Sequence, residues 1–98
     1  MKIETFNKQR IRCYDNGGKT LDRYTVIYLN DPERGLNLYS ARGMSTDPYH
    51  GIGTMCSAAP GAHLGKRIKL DDMPPACRQV VANDLGATNY QELYNLNQ

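Results

Sequence analysis

The chain has no tryptophan and a single phenylalanine, and Leu, Ile, Val and Phe together fill only 18 of its 98 positions. So sparse a set of strongly apolar residues excludes a large core, and with a high net charge it would signal disorder. The charge is low, since twelve Lys and Arg against ten Asp and Glu leave a formal +2. An imbalance this slight does not drive nucleic-acid or membrane binding by net charge, so each local cluster has to be weighed separately. Long apolar runs are also missing. Nothing approaches the ~18 residues of a transmembrane helix, and the opening Met1-Lys2-Ile3-Glu4-Thr5-Phe6 lacks a signal-peptide core. The expectation is a soluble, cytoplasmic protein with no membrane partner. Cys13, Cys56 and Cys77 are odd in number, far apart and never in a C-x-x-C arrangement, which points away from a disulfide framework or zinc knuckle and toward free thiols.

What is present suits one small domain over residues 1–98, with seven tyrosines and four methionines thickening a thin core. Arg10 to Asn30 reads as a β-hairpin. Ile11 and Cys13 share one face of its first strand, Asp15-Asn16-Gly17-Gly18-Lys19 supplies residues that take positive φ cheaply, and the return run is rich in β-formers. Tyr24, Val26 and Tyr28 alternate with Thr25, Ile27 and Leu29, so both faces are apolar and the strand is expected at the centre of its sheet. A turn is expected over Asp31 to Gly35, then a third strand of a meander over Leu36 to Ala41.

From Ser45 to Gly65 every candidate period is broken by glycine or proline, and the stretch reads as a long loop, with a short strand over Thr54 to Ala58 as the alternative. Loops beyond ~12–15 residues in small domains are often functional. Lys66 to Leu70 reads as a further strand. Met73 as N-cap and Pro74 at the first helical position open a helix to Leu85, closed by Gly86, with Met73, Cys77, Val80, Val81 and Leu85 as its buried stripe. A short terminal helix is expected from Thr88, where Thr88-Asn89-Tyr90-Gln91 has capping-box spacing. The fold class is α+β: an antiparallel sheet of three to five strands, a meander with a β-hairpin, one main C-terminal helix on one face and a short terminal helix.

Tyr14-Asp15-Asn16-Gly17-Gly18, Asp22-Arg23-Tyr24-Thr25-Val26, Gly43-Met44-Ser45 and His63-Leu64-Gly65-Lys66-Arg67-Ile68 together resemble a family of small proteins of bacteriophages and other mobile elements that has no assigned activity. The resemblance covers roughly Arg10 to Leu85 and implies a genomic setting in which accessory and host-interaction proteins are common. It favours binding over catalysis, with a host or phage protein as partner.

Reactive side chains concentrate in the long loop. His50, Cys56 and His63 are of metal-ligating types but lack paired spacings, and Cys56 with either histidine has the composition of a nucleophilic pair without any sign of geometry. Loop histidines at the surface, with Cys56 packed as a small hydrophobe, account for the same residues. Gly61 to Arg67 resembles a phosphate loop but has three residues between its glycines, Arg67 where a hydroxyl is needed, and a strand rather than a helix behind it. A weak anion contact remains. Arg10 and Arg12, with Lys66, Arg67 and Lys69, form one basic surface if their strands are neighbours, and Tyr14, Tyr24, Tyr28 and Tyr39 are then candidate stacking platforms. Asp15 and Arg23 are placed to pair across the hairpin. The expected function is a small non-enzymatic binding protein acting through the loop, with Arg42, Tyr49, His50, His63, Lys66 and Arg67 framing the ligand or partner surface. A nucleic-acid or nucleotide binder is the alternative, a small thiol or hydrolytic enzyme the next. No motif asks for a cofactor, and a homo-oligomer interface is one form the binding surface can take.

Overall fold

The computed structural model of the chain describes residues 4–6, 8–20, 22–33, 37–45, 54–89 and 91–92. Among the described residues six strands, β1 (Glu4–Phe6), β2 (Gln9–Asp15), β3 (Tyr24–Pro32), β4 (Tyr39–Met44), β5 (Thr54–Ala58) and β6 (Lys66–Ile68), precede the helix α1 (Pro75–Asp84). One-turn 3-10 segments lie at Ala62–Leu64 and Leu70–Asp72. All strand pairs are antiparallel, in the order β1-β2-β3-β4-β5, with β6 also paired to β2. Because β3 occupies one edge of β2, the other edge is shared: β1 lies opposite Gln9 to Ile11 and β6 opposite Cys13 to Asp15.

The α+β class is therefore shown, with a sheet larger than the three to five strands expected. Both additions have weak sequence signals. β1 has only three residues, and β5, the short strand weighed as an alternative within the loop, exposes Met55, Cys56 and Ser57 alike, so no hydrophobic alternation marks it.

The β2–β3 hairpin forms as read, on a wider connection. Asn16 N–H donates to Arg23 O at 2.9 Å, while Asn16 Oδ1 accepts from Gly18 and Lys19 and Asp15 Oδ1 accepts from Gly17. Gly17 and Gly18 both take positive φ, +77° and +90°. β4 starts three residues later than expected. The ladder shifts between Ile27 and Pro32, five steps along β3 answering two along β4, so Tyr39 meets the end of β3. Arg34, Gly35 and Leu36, in the expected turn and strand start, lie outside the described residues.

One face of the sheet carries the main core. Phe6, Ile11, Cys13, Val26 and Met44 pack there against Leu70, Met73, Cys77, Val81, Ala82 and Leu85, with Val80 partly buried beside them. Each large aliphatic side chain fully buried in this way contributes about 1.5–3 kcal/mol. The helix begins one residue later than Met73 and Pro74 imply, with Pro74 as N-cap and Pro75 at the first position. A residue before proline is pushed out of the helical region, and that restriction falls on Pro74 as well as on Met73. Asp72 instead caps the preceding 3-10 turn, its Oδ2 accepting from Lys69 N–H at 3.0 Å. At the other end Gly86 takes φ +83°, Ala87 N–H reaches Ala82 O, and Gly86 N–H reaches Asn83 O, the paired bonds of a Schellman cap. Helical backbone resumes at Gln91 and Glu92, and the cap is Asn89, whose Oδ1 accepts from Glu92 N–H at 2.8 Å, one residue beyond the expected Thr88. Tyr90, Leu93 and Tyr94 lie outside the described residues. Among the described residues no helix is long and apolar enough to cross a membrane.

Candidate functional site

β5 and β6 lie at opposite sides of the sheet, so the chain between them must cross it. It crosses the face away from α1. Leu64, in the 3-10 turn, packs there on Tyr14, Ile27 and Ala41, together with Leu29, Tyr39 and Ala58. The crossing ends at Gly65, where φ is +107° and a Cβ would stand 2.4 Å from Asp15 O, so the segment rejoins the sheet by close contact with the hairpin backbone.

This crossing segment walls a groove of about 280 Å³ lined by Arg10, Arg12, Leu29, Asn37, Tyr39 and Pro60. Strand alternation explains the lining: with Ile11 and Cys13 turned to the helix, Arg10 and Arg12 take the other face. Arg10 is exposed, and its Nε is 3.5 Å from Asn30 Oδ1. Arg12 is half-buried, and its Nε is buried without a hydrogen-bond partner among the described residues. A buried donor left unmade costs about 1–3 kcal/mol, so an acceptor brought within reach of this nitrogen is favoured. Among the described residues no carboxylate belongs to the lining, which makes the groove a cationic hollow with apolar walls. Asn37 sits at its margin with φ +57°, a backbone state asparagine tolerates better than most residues.

A second hollow, about 260 Å³, opens on the helix side beside Tyr28, Arg42, Met55 and Asp84. Arg42 Nε lies 2.6 Å from Asp84 Oδ2 and its Nη2 2.8 Å from Oδ1, and Tyr28 Oη donates to Oδ2 at 2.5 Å. Burial first, then the bond to the Asp84 carboxylate, raises the Tyr28 hydroxyl far above its ordinary pKa, so it stays protonated as a donor. The Asp84 bond raises Arg42 further.

The residues expected to frame one surface are divided by the sheet. Arg42 stands on the helix side with Asp84. His63 is exposed on the crossing turn, Lys66 is exposed at the start of β6, and Arg67 pairs in register with Tyr14 on the groove side. Tyr49 and His50 lie outside the described residues. Cys56 is exposed on β5 rather than packed as a small hydrophobe, and among the described residues no three His, Cys, Asp or Glu side chains are grouped to hold a metal ion. Asp15 and Arg23 do pair across the hairpin, at 2.8 Å, and this lowers the Asp15 pKa. Of the four strand tyrosines, Tyr14, Tyr24 and Tyr28 are buried, and Tyr39 alone of them lines the groove. The alternation that turns Arg10 and Arg12 together was visible in sequence. The wall at Pro60 was not, because it depends on where β5 and β6 sit. No family model, curated protein or solved structure matches this chain.

Proposed function

We propose that the protein is a small non-enzymatic binding module whose ligand surface is the sheet face opposite α1, where the crossing segment frames the groove. The observation that carries this reading is the groove lining itself, which among the described residues holds two arginines and no carboxylate, with the buried Arg12 Nε lacking a partner among them. Such a lining selects an anionic ligand or an acidic patch on a partner. His63 and Arg67 border the same face and extend it. The setting is the one implied by the resemblance, a cytoplasmic accessory or host-interaction protein of a bacteriophage or mobile element. Thiol chemistry is disfavoured at Cys13 and Cys77, which are enclosed in the core, where burial raises both their pKa values and opposes thiolate formation.

The test is capture from a native lysate on immobilised wild-type chain and on the double variant Arg10→Glu, Arg12→Glu, with bound protein and bound nucleic acid analysed separately. Material held by the wild type, released by a soluble polyanion and lost on the variant supports the reading, provided both chains melt at similar temperatures. Equal retention by both chains places the working surface elsewhere.

A further inference from the structure

We infer that the groove between Arg10, Arg12, Tyr39 and Pro60 binds single-stranded nucleic acid, with the two arginines on consecutive phosphates and a base against the Tyr39 ring. The inference rests on the reading above and names the ligand class.

Three observations carry it. Arg10 and Arg12 occupy alternate positions of one extended strand, which sets their Cα atoms about 7 Å apart, the scale of one nucleotide step along an extended backbone. The Arg12 Nε is buried without a protein acceptor among the described residues, and a phosphate oxygen supplies one. Leu29, Tyr39 and Pro60 add apolar surface beside these cations, the combination of stacking platform and positive groove that single strands use. An acidic peptide without aromatic residues would satisfy the arginines but has no ring to stack on the tyrosine. A duplex is disfavoured by shape: α1 packs on the opposite face, so among the described residues no α-helix stands on this side to enter a major groove. A volume of about 280 Å³ admits one flattened base rather than a folded surface. Recognition of this kind tolerates many sequences, because every base has a π face and both arginines read the backbone.

The experiment is fluorescence anisotropy on the full chain at low salt with labelled dodecamers of deoxythymidine and of uridine, a duplex of equal length, a mononucleotide, and an acidic peptide of matching charge. Expected are binding of the two single strands, at least tenfold weaker binding of the other three probes, and a salt slope of roughly −1.4 for two neutralised phosphates. Arg12→Gln and Tyr39→Leu should each weaken the single strands about tenfold, whereas Tyr39→Phe, which keeps the ring, and Arg23→Gln, on the hairpin loop, should bind as wild type. Because Arg12 is half-buried, an NMR titration of the unaltered chain provides the second measurement, with shifts expected at the Arg10, Arg12, Leu29 and Tyr39 amides. No binding of either dodecamer, or shifts confined to another surface, overturns the inference. Binding of the acidic peptide in the groove with no binding of the dodecamers also overturns it, yet leaves the binding-module reading intact. Loss of wild-type capture selectivity together with silent groove amides would sink both.

Discussion

Arg42 on β4 and Asp84 at the end of α1 meet as a two-pronged ion pair, with Nε and Nη2 each on a different carboxylate oxygen at 2.6 and 2.8 Å. The pair ties the fourth strand to the helix. An aspartate at a helix C-terminus opposes the helix dipole, and the guanidinium offsets that cost. With side-chain exposures of 17% and 21%, the pair is shielded enough to exceed the small worth of a solvated contact.

Asp84→Asn should therefore lower stability by about 1–3 kcal/mol, because it removes the charge from the pair and weakens the bond from Tyr28. Arg42→Lys, which cannot present a planar fork, should fall between the variant and the wild type. Urea midpoints decide the matter, and an unchanged midpoint for Asp84→Asn would reduce the pair to a surface contact.

Glycine replacement should separate two kinds of backbone demand. Gly17→Ala and Gly18→Ala meet open space and have only positive φ to oppose them, so about 1 kcal/mol each is expected. Gly65→Ala adds a Cβ at 2.4 Å from Asp15 O to the same kind of φ, so its cost should exceed either by about 2 kcal/mol or more. Comparable thermal midpoints for all three would contradict the close approach of Gly65 to the hairpin.

Glu4 gives a pH signature. Its Oε1 accepts from Leu70 N–H at 2.7 Å, but burial outweighs that bond and raises its pKa above the ordinary value of 4.5, with Asp71 and Asp72 adding to the shift and Lys69 opposing it. The folded chain holds this proton more tightly than the unfolded chain. The Glu4 contribution is thus fully present below its unfolded pKa and is lost as pH rises through the folded one. Glu4→Gln should flatten that descent in urea unfolding measured at stepped pH, and the difference between variant and wild type removes the opposite trend from Asp15, whose pKa Arg23 lowers.

Thiol reactivity should divide one to two. Cys56 is exposed on β5, whereas Cys13 and Cys77 lie in the core, where burial raises both pKa values and the Glu4 carboxylate raises Cys13 further. One equivalent of a thiol reagent should react rapidly in native buffer, and two more only on unfolding. Substitution of Cys56 by serine should abolish the fast phase, and fast labelling that persists in that variant would show one of the core cysteines to be accessible.

The hairpin, the central strand, the main helix and its glycine stop were legible because each depends on local periodicity or on a residue suited to one backbone state. Ile11 and Cys13 alternate with Arg10 and Arg12, Ile27 divides Val26 from Tyr28, and Gly86 follows the last apolar residue of the helix. Such patterns act over a few residues, so the chain itself displays them. What sequence could not display was the pairing of β6 with β2, the position of β5 at the far edge, and hence the path of Pro60 and Leu64 across the sheet. These follow from contacts between residues far apart in the chain. The same tertiary choice put Arg42 on the helix side with Asp84 and left Arg10 and Arg12 on the groove side, because a sheet turns alternate residues to opposite faces and only the packing of α1 decides which face becomes the main core.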